Sequence, residues 1–177
     1  IIVQPAKRVS CLFEDRELIE EIEHEVAQQQ GALPLLSFML SELFERATKE
    51  HTRYREIKRS HYKAVGGVSG ALSKRADAVL DSLPDKSHKD SMRRIMLRMV
   101  SLSGGKATSR RVMMEDLNFD DMRENQRVRD VLLQVKDEAK LIRSDVDNNG
   151  KSFIEPAHDA LVRAWKQLWD WVKELGE

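Results

Sequence analysis

The sequence is poor in residues that staple, break or loosen a chain. Its single cysteine, Cys11, can form no internal disulfide, a usage that fits a reducing, cytoplasmic compartment. As a catalytic nucleophile Cys11 would need a histidine brought beside it by the fold, and a small buried hydrophobe is the simpler role. Only 4 prolines and 8 glycines interrupt 177 residues, which favours long helices with solvated faces. No apolar run approaches the ~20 residues of a membrane span. No signal peptide opens the chain. The opening Ile1-Ile2-Val3, without an initiator methionine, reads as the interior of a longer protein. An excess of one charge is missing too, since Lys+Arg and Asp+Glu number 30 each. Residues 1–85 hold 12 basic and 14 acidic side chains and the remainder 18 and 16, so neither half carries a field that draws nucleic acid or anionic lipid.

Charge of both signs, by contrast, is plentiful. Charged residues make up 34% of the chain, above the roughly 25% of an average globular protein, beside an ordinary 41% of apolar residues. The length suits one large domain or two small ones. Asp15 is placed to cap a helix running to about Gln30, with Leu18, Ile19, Ile22 and Val26 at helical spacing, and Gly31 ends it. A second helix starts near Pro34 and carries Leu35, Leu36, Met39, Leu40, Leu43, Phe44 and Ala47. Gly66-Gly67-Val68-Ser69-Gly70 leads into a third, with Ala71, Leu72, Ala76, Val79, Leu80 and Leu83, closed by Pro84. Such apolar stripes must be buried against one another or a partner.

Beyond Asp85 the pattern changes. A helix bearing Met92, Ile95, Met96, Met99 and Val100 stops at Gly104-Gly105. An extended piece, Ala107-Thr108-Ser109, precedes a helix of one or two turns near Val112 to Leu117. A longer helix follows with Val128, Val131, Leu132 and Val135. Asn149-Gly150 marks a type I′ hairpin that sets Val146 opposite Phe153. A closing helix holds Leu161, Val162, Trp165, Leu168, Trp169 and Val172, with Trp165 and Trp169 expected in the core. Helix, short strand, helix, helix, hairpin is the order of a winged helix-turn-helix. The expected fold is therefore mainly α, with a helical part over 1–84 and a winged helix with a small β-hairpin over 85–177.

Three segments imitate ligand sites. Gly104-Gly105-Lys106-Ala107-Thr108 lacks the earlier glycine and the Ser or Thr after lysine that a phosphate loop needs, holding Val100 and Ala107 there. Asp145, Asp147, Asn149 and Gly150 start a calcium loop, but Pro156 stands where the closing glutamate belongs. Gly66 to Gly70 before a helix could receive an anion at the helix N-terminus, although such glycines are more often only turns. The five histidines show no metal spacing. No signature of a Ser/His/Asp or Cys/His nucleophile is present, and no residue is assigned a catalytic role.

Gly31-Ala32-Leu33-Pro34-Leu35-Leu36 resembles the Gly-Leu-Pro-Leu segment of STAND-class P-loop NTPases. Ala157-His158-Asp159-Ala160-Leu161-Val162-Arg163-Ala164-Trp165 resembles the Met-His-Asp motif that opens the last helix of their winged-helix domain. Between them, Gly66-Gly67-Val68-Ser69-Gly70-Ala71-Leu72 and Ala107-Thr108-Ser109-Arg110-Arg111-Val112 resemble the bacterial branch, often fused to WD-repeat or other sensor domains. The resemblance implies a helical lid bundle before the winged helix. It implies ATP or ADP as the ligand, with magnesium in the parent protein, and makes Pro34 a contact to the base and His158 a contact to the β-phosphate of ADP. Ala32 and Ala157 depart from the family pattern, in place of a glycine and a methionine. The Walker A and Walker B elements would lie before Ile1, so the chain is expected to supply one wall of the pocket and to bind no nucleotide alone. Implied partners are an upstream NTPase core, downstream sensor or effector domains, and further copies in an oligomer, with no membrane.

The residues also admit blander roles: Pro34 as a helix-starting proline, His158 as a hydrogen-bonded histidine at a helix start, and Asp159 as a complement to the helix dipole. Two other function classes compete. A winged helix could read DNA through residues Met122 to Glu138, but Arg123, Arg127, Arg129 and Lys136 there meet Glu124, Asp130, Asp137 and Glu138. Net charge zero disfavours phosphate attraction. A helical protein-interaction scaffold that never touches nucleotide is the third reading.

Overall fold

The computed structural model describes residues 11–28, 32–50, 55–103 and 106–175 and is mainly α-helical. The chain divides into two compact units, residues 1–74 and 75–177.

In the first unit, α1 (Arg16–Ala27) begins as expected, the Asp15 carboxylate accepting from Leu18 N at 2.7 Å. That satisfies one of the orphan donors of the first turn. Gln28 caps its end; the expected extension to Gln30 and stop at Gly31 fall outside the described residues. α2 (Ala32–Lys49) starts two residues before Pro34, which sits in its first turn, where a missing N–H leaves no helical bond unmade. Leu35, Leu36, Met39, Leu43 and Ala47 are buried as the periodicity required, joined by Phe38, while Leu40 and Phe44 are half-buried.

Two features of this unit escape the periodicity. β1 (Cys11–Phe13) pairs in parallel with β2 (Arg55–Ile57), Cys11 opposite Arg55 and Phe13 opposite Ile57. Three residues are too few to display a period of two. A short helix, α3 (Arg59–Val65), fills part of the polar stretch. It ends at Gly66 in the left-handed conformation, φ 91°. The glycine run is then not a loop: α4 (Gly67–Ser82) starts inside it and stops two residues before Pro84.

The reason α4 starts there is Glu25 of α1. Its carboxylate accepts from Val68 N at 3.1 Å and from the Tyr62 hydroxyl. A protein carboxylate thus holds the helix start where an external anion was conceivable. Gly67 has φ 70°, a conformation that favours glycine, and a Cβ there would come within 2.7 Å of Glu25 Oε2 and displace the carboxylate.

The second unit opens with the last turns of α4. Asp85 then caps α5 (Lys86–Arg98), accepting from His88 N at 2.9 Å. Met92, Ile95, Met96 and Met99 are buried, but Val100 is not helical. It opens β3 (Val100–Ser103), which pairs antiparallel with β4 (Lys106–Ser109). The helix therefore ends before the expected Gly104-Gly105, which lies outside the described residues. β5 (Val112–Met113) and a 3-10 turn (Met114–Leu117) take the place of the expected short helix. α6 (Met122–Leu132) widens into a π-helical stretch, Leu133–Glu138. Lys140, at φ 56°, turns the chain into β6 (Ile142–Val146).

β6 and β7 (Ser152–Pro156) form the hairpin, and β5 joins β7 to make a three-stranded antiparallel sheet in the order β5-β7-β6. The register differs by one residue from expectation: Asp145, not Val146, faces Phe153, and Val146 is opposite Ser152. The turn explains the slip. Asn149 does not have positive φ, as type I′ would demand; only Gly150 does, at 75°. Gly150 N closes onto Asp147 O at 3.0 Å, and the Asp147 carboxylate accepts from Asn149 N and Lys151 N at 2.9 and 2.8 Å. The result is a five-residue loop, 147–151, with glycine at its left-handed position.

No heavy atom lies within 4 Å of a Cβ at Gly150, so a substitution there meets only backbone strain. Gly150→Val should destabilise the chain by about 1 kcal/mol or more, and Gly150→Asn by clearly less, because asparagine tolerates positive φ. Thermal melting of the two variants checks this; equal melting temperatures would contradict the assigned turn.

The closing helix is two helices, α7 (Asp159–Ala164) and α8 (Lys166–Glu174), broken at Trp165, whose ψ is 106°. The break serves the indole. Trp165 is fully buried, donates from Nε1 to Asp77 at 2.6 Å, and meets Trp171 edge to face at 5.3 Å between centroids. Trp169, expected in the core, is only half-buried; Trp171 takes that place.

Candidate functional site

His158 sits where β7 gives way to α7. Pro156 ends the strand, opposite Ile142, and Ala157 N carries the ladder one step further by donating to Leu141 O at 2.9 Å. His158 then takes an extended conformation, φ −137° and ψ 128°, and its carbonyl accepts from Leu161 N at 2.9 Å to start α7. The side chain is half-buried. Burial, and secondarily the positive charge of Arg143, push its pKa below the ordinary histidine value, so the imidazole is mostly neutral at pH 7. A neutral imidazole can donate one hydrogen bond without the desolvation cost of a buried cation. Next to it, the Asp159 carboxylate accepts from Ser109 Oγ at the end of β4, which ties the Ser109-Arg110-Arg111 segment to the start of α7.

Around this junction the sheet lines up three charged side chains. Arg111 precedes β5, whose Val112 faces Ile154; Glu155 stands on β7; Arg143 stands opposite it on β6. Glu155 Oε2 accepts from Arg111 Nε at 2.9 Å, and Oε1 accepts from Arg143 Nε and Nη2 at 2.8 and 2.6 Å. Burial would raise the Glu155 pKa, but the two guanidiniums outweigh it and hold the carboxyl below its ordinary value. The Arg111 guanidinium also lies 4.4 Å above the ring of buried Phe153.

Pro34, the other expected nucleotide contact, lies in the first turn of α2. It belongs to the first unit and His158 to the second. Among the described residues no group of three or more His, Cys, Asp or Glu is placed to hold a metal ion. No helix formed by described residues is long and apolar enough to cross a membrane. Two of the three basic residues of α6 are drawn into local pairs: Arg127 with Glu124 at 2.8 Å, and Arg129 with Gln126 at 2.8 Å.

Sequence reading missed the Arg111–Glu155–Arg143 row because it needs the hairpin register. With Asp145 facing Phe153 the ladder sets Arg143 against Glu155; with Val146 there it would set Arg143 against Pro156.

A mainly helical chain carrying these segments in this order is a STAND NTPase-associated region. A family model described as Novel STAND NTPase 1 matches residues 1–177, the full sequence, and the chain belongs to that family. No curated protein and no solved structure matches it.

Proposed function

We propose that this chain is the nucleotide-state-sensing module of a STAND-type signalling NTPase, a helical lid ending near Pro84 followed by a winged helix. Family membership supports the class, and the element order from α5 through the β6–β7 hairpin to α8 supports the winged helix. The observation that carries the reading is His158, a half-buried neutral imidazole at a strand-to-helix junction beside a guanidinium. In this role His158 donates to the β-phosphate of ADP and Pro34 packs beside the base. Each is proposed on its own ground, with magnesium and the hydrolytic groups belonging to a core that precedes the chain. The ADP contact holds the protein inactive. Exchange to ATP gives it up and passes the signal to attached sensor or effector domains. An equilibrium of this kind shifts only by the difference in affinity between its two states, so the ADP contact must be weaker or absent in the active one.

Amide hydrogen exchange on the full-length NTPase tests this. ADP should slow exchange over residues 156–162 more than ATP does. Equal protection by the two nucleotides, or none, would refute the sensing role.

A further inference from the structure

The Arg111–Glu155–Arg143 row holds two guanidiniums against one carboxylate, leaving the row one positive charge in excess across the β5-β7-β6 sheet. The arginines are not spent on this pairing. Their side chains remain 61% and 66% exposed while the Glu155 side chain is 15% exposed, so the guanidiniums stay open to solvent while the carboxylate is shielded. Arg111 reaches Glu155 through Nε, and its guanidinium lies over the Phe153 ring. Arg143 stands opposite Glu155, and His158 follows one residue after the last ladder bond. Row and imidazole therefore belong to the same end of the sheet, and the Ser109–Asp159 bond anchors the segment leading to Arg111 there.

We propose that Arg111 and Arg143 grip the diphosphate oxyanions of the nucleotide that His158 contacts, with Glu155 as the internal counterion that holds both guanidiniums in readiness until phosphate takes them over. This rests on the reading of His158 as a diphosphate contact and extends it from one neutral donor to a charged clamp. A diphosphate carries more charge than a carboxylate and offers oxygens to both guanidiniums in the paired geometry arginine favours. Exchange of partners replaces a pair held within the row by one held on the ligand, and no guanidinium is stranded when the nucleotide leaves.

The experiment is competition of ADP, and separately of inorganic pyrophosphate, against a fluorescent ADP analogue on the full-length NTPase. The variants are Arg111→Gln, Arg143→Gln, Glu155→Gln and His158→Ala, each checked for an unchanged melting temperature, with Arg143→Lys retaining charge if Arg143→Gln fails to fold. Each arginine variant should weaken ADP and pyrophosphate alike, by roughly five- to twentyfold, and flatten the salt dependence of binding. Glu155→Gln should tighten both, because the guanidiniums lose their competitor. Unchanged ADP affinity in both arginine variants, with loss in His158→Ala, would overturn the clamp and leave the His158 reading standing. No change in any variant would overturn both. ADP weakened with pyrophosphate untouched would also overturn the clamp, since the arginines would then be reading something other than phosphate. So would Glu155→Gln weakening both ligands, which would make the row a support and not a reserve.

Discussion

Glu124→Ala is expected to destabilise the chain by about 2–3 kcal/mol, lowering the melting temperature by on the order of 5–10 °C. Glu124 lies on α6 with 7% of its surface exposed. Its carboxylate accepts from Ser91 Oγ at 2.9 Å, from Arg127 Nε at 2.9 Å, and from Arg94. The network joins α5 to α6, and Arg94 and Arg98 then lie over the Phe119 ring at 5.4 and 5.5 Å. Removing the carboxylate takes an acceptor from two guanidiniums and a buried hydroxyl at once. The effect stays below the top of the range for broken buried pairs because Arg94 and Arg127 can turn to water, their side chains being 48% and 26% exposed.

Burial by itself would raise the Glu124 pKa, but the bonds from Arg127 and Ser91 and the Arg94 charge hold it below its ordinary value. A lowered folded-state pKa contributes stability that is complete above the unfolded value and is lost as pH falls through the folded one. Wild type and Glu124→Gln should therefore differ at neutral pH and converge in acid. Parallel curves down to low pH, or an unchanged melting temperature for Glu124→Ala, would contradict the network.

Helix placement was legible because burial imposes a period of 3.6. Leu18 and Ile22, then Leu35, Leu36, Met39, Leu43 and Ala47, and Met92, Ile95 and Met96 all fall inside as spaced. What was not legible depends on partners far along the chain. β1 finds β2 some 44 residues away, and the start of α4 is set by Glu25, which no local pattern around Gly66-Gly67 announces. The break at Trp165 is fixed by a hydrogen bond to Asp77, 88 residues earlier, so the apolar stripe reads as one helix where there are two. The hairpin failed differently. Asn149-Gly150 named a turn at the right place, but the Asp147 carboxylate bonded two backbone N–H groups and widened the loop, shifting the register by one. That single residue separates an Arg143 facing Pro156 from an Arg143 paired with Glu155. His158 was identified through its family motif alone; its half-burial and its guanidinium neighbour are properties of the fold.

The second large effect concerns that histidine. A hydrogen bond to a charged phosphate contributes roughly 1.5–3 kcal/mol, so in the full-length NTPase His158→Ala should weaken ADP binding by about 10- to 100-fold. ATP should lose less if the active state withdraws the contact, and the variant should then lean toward the active form. In the isolated 177-residue chain, the same substitution should cost little stability, since a half-buried side chain at the start of a short helix supports little packing.

Calorimetric titration of ADP into wild-type and His158→Ala full-length protein, paired with melting of the isolated chain carrying the same substitution, tests the sensing role most directly. A 10- to 100-fold weaker ADP dissociation constant with a nearly unchanged melting temperature is the predicted result. Unchanged ADP affinity together with a badly destabilised chain would make His158 a structural residue and contradict the account.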